Sequence, residues 1–125
     1  MPTILVVDDD DRNLRLAQAA LEQAGHIVLT AVDGATAIEA ALEHVPDLIL
    51  MDVQMPGLDG RGALAGLRAD PRTAAIRVVA FTAMAMKDDR EELLAQGFDG
   101  YLSKPIRYRE LLAEVERLLQ GGPAM

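Results

Sequence analysis

Thr3-Ile4-Leu5-Val6-Val7-Asp8-Asp9-Asp10-Asp11 is the stretch on which the fold turns: a short β-prone run leads directly into four aspartates. The run is apolar through Val7 rather than alternating. That pattern marks a strand covered on both faces, as in a parallel sheet between helical layers. Outward from it, comparable runs recur at His26–Ala31, Leu48–Met51, Arg77–Phe81 and Gly100–Leu102. Between them the apolar residues fall at helical spacing. Leu14, Ala17, Leu21 and Ala24 predict a first helix stopped by Gly25, and Ala37, Ile38, Ala41 and Leu42 a second closed by Pro46. A third, weakened by Gly62 and Gly66, covers about Gly60–Arg68. A fourth covers residues 87–96, and Glu110–Leu119 is a strong fifth. Strand and helix thus alternate five times. Right-handed crossovers reduce the options to an α/β fold with a doubly wound parallel sheet of five strands. Residues 1–120 are read as one domain and 121–125 as a frayed tail, with no output domain expected after the fifth helix.

Composition narrows the function. The 125 residues are 50% hydrophobic, which argues against disorder, and carry 12 basic against 20 acidic side chains, a net charge of −8. Arg12, Arg15, Arg61, Arg68, Arg72 and Arg77 are scattered, so no basic stripe offers a surface to nucleic acid. Cysteine and tryptophan are absent and the histidines are only His26 and His44. Thiolate catalysis, zinc ribbons and an aromatic platform for single strands are thereby excluded. No apolar run approaches the roughly 18–20 residues that span a bilayer, and no charged-then-apolar leader opens the chain. A cytoplasmic protein without membrane or nucleic-acid partners is expected.

In an open parallel sheet ligands bind beyond the carboxyl ends of the strands. Strand 1 ends in Asp8–Asp11, strand 3 in Asp52, strand 4 in Thr82-Ala83, and strand 5 in Ser103-Lys104-Pro105; strand 2 offers nothing ionisable before Asp33. Gathering Asp8, Asp9 and Asp52 at one rim is self-repelling, at roughly 4 kcal/mol per close pair for 4 Å and an effective dielectric of 20. Lys104 alone does not offset that, whereas a divalent cation together with Lys104 balances the three carboxylates. Mg²⁺ suits an all-oxygen site of this kind. A cation, an ammonium and a hydroxyl together suit the oxygens of a phosphoryl group, and a carboxylate can be its nucleophilic acceptor.

Plainer roles compete. Aspartates after a strand cap helices, which explains Asp10 or Asp11 but not a run of four. Asp52 follows an apolar run and is expected to be half-buried, costly without a partner. Thr82 is by itself an ordinary strand residue. Lys104 precedes a proline, where cis peptides occur. His26 and His44 are read as a strand edge and a helix end without a role, and Met84 and Met86 as packing or a partner surface.

Taken together, Ile4-Leu5-Val6-Val7-Asp8-Asp9, Leu48-Ile49-Leu50-Met51-Asp52-Val53-Gln54-Met55-Pro56 with Gly57-Leu58-Asp59-Gly60, Ala80-Phe81-Thr82-Ala83 and Gly100-Tyr101-Leu102-Ser103-Lys104-Pro105 resemble the receiver domain of two-component response regulators. The resemblance runs from about Thr3 to Leu119 and is strongest to single-domain members and to the receivers of hybrid kinases. It implies a flavodoxin-like sheet order 2-1-3-4-5 and a phosphoryl group accepted by Asp52 from a phosphohistidine of a histidine kinase or histidine phosphotransfer protein. It further implies Mg²⁺ held by Asp8, Asp9, Asp52 and the Gln54 backbone carbonyl, with Thr82 and Lys104 contacting the phosphoryl oxygens and Tyr101 as an aromatic switch.

The implied output surface is the face of the fourth helix, fifth strand and fifth helix, carrying Lys87, Asp88, Asp89, Arg90, Glu91, Tyr101, Arg107, Tyr108 and Arg109. It would bind a downstream protein target or a second copy, as a monomer or weak dimer. Gln54 and Met84 stand where side chains flank the attacking water's path, and Asp10 is an extra acid beside the metal pair. No enzymatic turnover beyond self-phosphotransfer and autodephosphorylation is expected. The alternatives are a receiver excised from a hybrid kinase, a binding module that is never phosphorylated, and a small-molecule phosphatase, for which no gap between elements has room for a substrate cap.

Overall fold

The computed structural model describes residues 2–55, 57–83 and 87–120. Five strands alternate with five helices: β1 Thr3–Val7, α1 Asp11–Gln23, β2 Ile27–Ala31, α2 Gly34–His44, β3 Leu48–Asp52, α3 Gly60–Ala69, β4 Arg77–Thr82, α4 Lys87–Ala95, β5 Gly100–Ser103 and α5 Tyr108–Leu119. All strand pairs are parallel, in the order β2-β1-β3-β4-β5. This is the doubly wound, flavodoxin-like arrangement expected of the sequence. Among the described residues no helix is long and apolar enough to cross a membrane.

Successive strand residues point to opposite faces, so each central strand feeds two cores. Leu5, Val7, Ile49, Met51, Val78 and Ala80 pack with Ala37, Ala41, Ala63, Leu64, Leu67 and Leu93, on the side of α2, α3 and α4. Ile4, Val6, Leu48, Leu50, Val79 and Phe81 pack with Leu14, Ala17, Leu21, Leu111, Val115 and Leu118 from α1 and α5. β2 departs from the two-sided burial expected of it: Ile27 is 46% exposed, because this edge strand has a partner on one side only. His26 lies just before β2 rather than within it, and α5 starts at Tyr108, ahead of the Glu110 read from the pattern.

Three strands run one residue further than their apolar runs. Asp52, Thr82 and Ser103 are the last residues of β3, β4 and β5, so sheet hydrogen bonding, not a loop, holds them. Helix ends follow local chemistry. Asp10 caps α1 through Arg12 N–H, Asp59 caps α3 through Gly62 N–H, and Asp33 and Thr36 form a capping box on α2. α2 ends at Val45 in the left-handed conformation, φ 43°, just ahead of Pro46, which disfavours helix in the residue before it. Despite its glycines α3 forms, because it is capped and buries Ala63, Leu64 and Leu67.

At the opposite end of the sheet from the acidic rim, Arg68 of α3 joins three segments. Its guanidinium donates to the carbonyls of Ala74, Ile76 and Gly97 and to Asp99 Oδ2 at 3.0, 2.6, 3.1 and 2.8 Å. Asp99 Oδ2 also accepts from Val78 N–H at 2.9 Å. Arg68→Ala removes the donor to the partly buried Ala74 and Ile76 carbonyls and is expected to cost about 2 kcal/mol, read as a lower urea midpoint.

Candidate functional site

The carboxyl ends of β1, β3, β4 and β5 meet at one edge of the sheet. Asp8, Asp52 and Thr82 are there with relative exposures of 0, 1 and 0%; Asp9 faces solvent. Asp52 is therefore buried outright, not half-buried as its sequence context implied, because β3 is the central strand and β1 and β4 flank it. Asp8, Asp9 and Asp52 each bring a carboxylate oxygen within 4.8 Å of the others.

Local hydrogen bonds aim these groups. Asp8 Oδ1 accepts from Asp10 N–H at 2.8 Å, and Asp10 Oδ1 accepts from Arg12 N–H at 2.9 Å. Asp10 is thus the helix cap rather than an additional acid of the cluster. Asp52 Oδ1 accepts from Gln54 N–H at 3.1 Å, while the Gln54 side chain is exposed. Lys104 N–H donates to Thr82 O at 2.8 Å, and the Lys104–Pro105 bond is cis. Lys104 Nζ stands 3.2 Å from both Asp8 Oδ2 and Asp52 Oδ2 and 5.3 Å from the Phe81 ring centre.

One ammonium between two carboxylates leaves the balance negative. Both Oδ2 atoms lie within ion-pair distance of Lys104 but lack an aligned hydrogen-bond partner. Burial, and then the neighbouring Asp8 charge, push the Asp52 carboxyl up from 3.8 to about 6, against the opposing pull of Gln54 N–H and Lys104. For Lys104, burial alone would lower the pKa, but Asp52 and Asp8 outweigh it and hold the ammonium above its ordinary range. Two buried oxygens that share one ammonium, with an exposed third carboxylate beside them, fit a hard divalent cation with oxygen preference.

Thr82 pairs with Ser103 across β4 and β5, and Tyr101 pairs with Ala80. Tyr101 is half-buried, and its N–H donates to Glu114 Oε2 at 3.3 Å. Burial raises the pKa of its phenol. It lies in an open groove of about 500 Å³ with Arg90, Leu102, Ser103, Glu110, Ala113, Glu114 and Arg117. Around it Arg90, Glu91, Arg107, Tyr108 and Arg109 are exposed and Asp89 is half-buried. Pro56, Met84, Met86, the side chains of Lys87 and Asp88, and the tail 121–125 lie outside the described residues. His44 contacts Glu43 at 3.1 Å on the surface, and His26 lies just before β2; neither is at the rim. Phe81 was not singled out from the sequence, since an aromatic in a buried strand gives no sign that a lysine will lie near its ring.

Fold and rim together define a parallel α/β domain that presents an acidic cluster and a lysine at its strand ends. The family model of the response regulator receiver domain matches residues 4–116, and the chain belongs to that family. It is 34% identical over 117 residues to the polar-differentiation response regulator DivK of Brucella anthropi, covering 94% of this chain and 95% of that protein. It is 44% identical over 115 residues to the response regulator PleD of Caulobacter vibrioides, and 43% identical over 113 residues to the sensor protein GacS of Pseudomonas syringae. The matches cover 92% and 88% of this chain but only 25% and 12% of those two relatives.

Among solved structures, the receiver domain of a sensor histidine kinase from Pseudomonas aeruginosa superposes with a TM-score of 0.88 at 34% identity, covering 96% of this chain and 98% of that one. That structure has a magnesium ion coordinated in its active-site cleft. A response regulator from Desulfuromonas acetoxidans gives 0.89 at 28% identity, covering 96% and 98%.

Because the folded state holds the Asp52 proton more tightly than the unfolded chain, the stability linked to that proton is complete below about pH 3.8 and lost as pH rises through about 6. In chelator, the wild type is expected to show a higher urea midpoint at pH 5 than at pH 7. Asp52→Asn should flatten that dependence and raise the midpoint at pH 7.

Proposed function

We propose that this chain is a phosphorylatable signalling switch whose acceptor is Asp52. The observation that carries the reading is the convergence of Asp8, Asp9 and Asp52 within 4.8 Å, with two buried carboxylate oxygens facing Lys104. Asp8, Asp9, Asp52 and the Gln54 backbone carbonyl would hold Mg²⁺. When bound, the ion supplies positive charge to the phosphoryl oxygens and relieves the repulsion among the carboxylates.

An ionised Asp52 oxygen attacks the phosphorus of a phosphohistidine on a histidine kinase or phosphotransfer protein. The P–O bond forms as the P–N bond breaks, and the imidazole leaves with the bonding pair and takes up a proton. Thr82 donates its hydroxyl and Lys104 its ammonium to the oxygens of the resulting acyl phosphate. No turnover of a separate substrate is assigned; loss of the phosphoryl group to water completes the cycle.

The phosphoryl group carries about −1.5 to −2 charge in place of one carboxylate charge. Thr82 and Lys104 follow that charge, and since Lys104 N–H is bonded to Thr82 O, the ends of β4 and β5 move together. Tyr101, in the groove beside them, changes its burial as the equilibrium between two arrangements shifts. The α4-β5-α5 face is the surface offered to a downstream protein or a second copy, as a monomer or weak dimer in the cytoplasm. The similarity to PleD and GacS, of which this chain matches only part, favours a second setting for the same chemistry: a receiver joined to further domains.

Intact mass spectrometry after incubation with acetyl phosphate tests the assignment. The wild type is expected to gain one phosphoryl group only with Mg²⁺, and Asp52→Asn none. Lys104→Ala should still be phosphorylated but lose the phosphorylation-dependent change in amide spectra. A wild type left unmodified by both acetyl phosphate and a phosphorylated histidine donor would leave a binding module in place of a switch.

A further inference from the structure

The β3–α3 connection begins at the acceptor strand and carries Gln54, yet hydrogen bonds alone do not account for its placement. Val53 N–H donates to Phe81 O at 3.1 Å and Gly60 N–H to Val53 O at 3.1 Å, which close the two ends of the turn. Gly60 backs directly onto the strand: a Cβ there would lie 2.5 Å from Asp52 O and 2.7 Å from Val53 Cα. Further out, the connection rests against the first turn of α2. A Cβ on Gly34 would collide with the Leu58 carbonyl oxygen and would sit 2.9 Å from Leu58 Cγ. A Cβ on Gly62, in the first turn of α3, would meet Leu58 Cδ1 at 2.5 Å. Leu58 therefore occupies a notch made by two bare α-carbons, one on each helix.

Helix propensity argues against both glycines, since alanine in a helix is favoured over glycine by roughly 0.5–1 kcal/mol. Space argues for them. The first turn of α2 is held in place by the Asp33–Thr36 capping box and by burial of Gly34, Ala37 and Ala41, so it is a fixed wall. The α3 side is held by the Asp59 cap on Gly62 N–H. A loop pinned at Gly60 and seated at Leu58 has little freedom over Val53–Met55, and it is there that Gln54 N–H orients Asp52 Oδ1.

We propose that Leu58 is a positioning residue: seated in the Gly34–Gly62 notch, it fixes the β3–α3 connection and through it the Gln54 carbonyl and the Asp52 carboxylate that would hold the cation. The inference rests on the assignment of those groups as Mg²⁺ ligands. Leu58 touches neither the cation nor the phosphoryl group. Its effect adds to the burial of Val53 and Met55 on either side of Gln54 and works as residues behind a metal ligand do when they hold it in the binding orientation.

The contact separates this role from simple packing of α2 on α3. Gly66, one turn further along α3, faces the end of Ile38, 2.8 Å from where its Cβ would be. It belongs to the same helix–helix interface but lies away from the connection. The Gly34 collision is with a backbone oxygen, so it persists whatever side chain stands at 58. The Gly62 contact is with the tip of the Leu58 side chain and vanishes when that side chain is trimmed.

The test is Mg²⁺ affinity by calorimetry on the wild type, Leu58→Ala, Gly34→Ala and Gly66→Ala, with urea midpoints measured alongside. Leu58→Ala and Gly34→Ala are expected to weaken Mg²⁺ binding by about 10-fold, and Gly66→Ala to stay within about twofold. Should Gly34→Ala not fold, Leu58→Ala decides the matter, because Leu58 is 41% exposed and its truncation leaves the cores intact. Unchanged affinity in Leu58→Ala overturns the proposal, as does a loss in Gly66→Ala equal to that in Leu58→Ala. A wild type that binds no Mg²⁺ overturns the metal site itself, and the positioning role falls with it.

Discussion

Two buried carboxylates share a single ammonium at the end of the parallel sheet, and much of the molecule answers to that arrangement. Burying a charge is costly unless it is paired and hydrogen-bonded, and here Asp8 and Asp52 are each only partly satisfied. One oxygen of each accepts a backbone N–H two residues on; the other lies toward Lys104 without a hydrogen-bond partner. The sheet supplies the rigidity that keeps such a cluster from relaxing, since Asp52 is itself a residue of β3, flanked by β1 and β4. Relief comes only from outside, by a proton or by a cation. The unfavourable resting electrostatics are thus what make the rim receptive.

The route from rim to surface is short. β4 and β5 lie side by side, and Lys104 N–H is bonded to Thr82 O just past their paired ends. Beyond them the two flanking helices are anchored very differently. α5 buries Leu111, Val115 and Leu118, whereas among the described side chains of α4 only Leu93 is buried. Polar contacts at the C-terminal end of α4 add to its anchoring: Arg61 to Gln96 at 2.9 Å and to Glu92 at 3.7 Å, and Arg68 to the Gly97 carbonyl at 3.1 Å. Elements with little buried apolar surface open at the lowest cost. Of the two helices, α4 is therefore the one held by less buried apolar surface among the described residues.

The candidate site was legible to the extent that its residues follow strands. Asp8, Asp52, Thr82 and Lys104 could be found by asking what stands after each apolar run, and the structure places all four at one edge. Asp10 was legible as a cap, because Asp in front of a helix has a local partner. The place of β2 at the sheet edge followed from the resemblance, but the exposure of Ile27 did not show in an apolar run that reads like the buried ones. Nor did the depth of Asp52, which depends on the strands beside it. Leu58 gave no signal either: a leucine between Gly57 and Asp59 looks like any loop residue until α2 and α3 are seen to leave a notch for it.

The amino-acid sequence by itself determined the alternation of strand and helix, the helix caps and the identity of the groups at the strand ends. These depend on hydrophobic period, turn chemistry and hydrogen bonds between near neighbours along the chain. Only the tertiary structure decided that Lys104 reaches two aspartates at equal distance, that Phe81 lies near its ammonium, and that Gly34 and Gly62 receive Leu58. Those contacts join segments tens of residues apart, except for Leu58 and Gly62. Their distances depend on how the helices and strands pack, which no local pattern specifies.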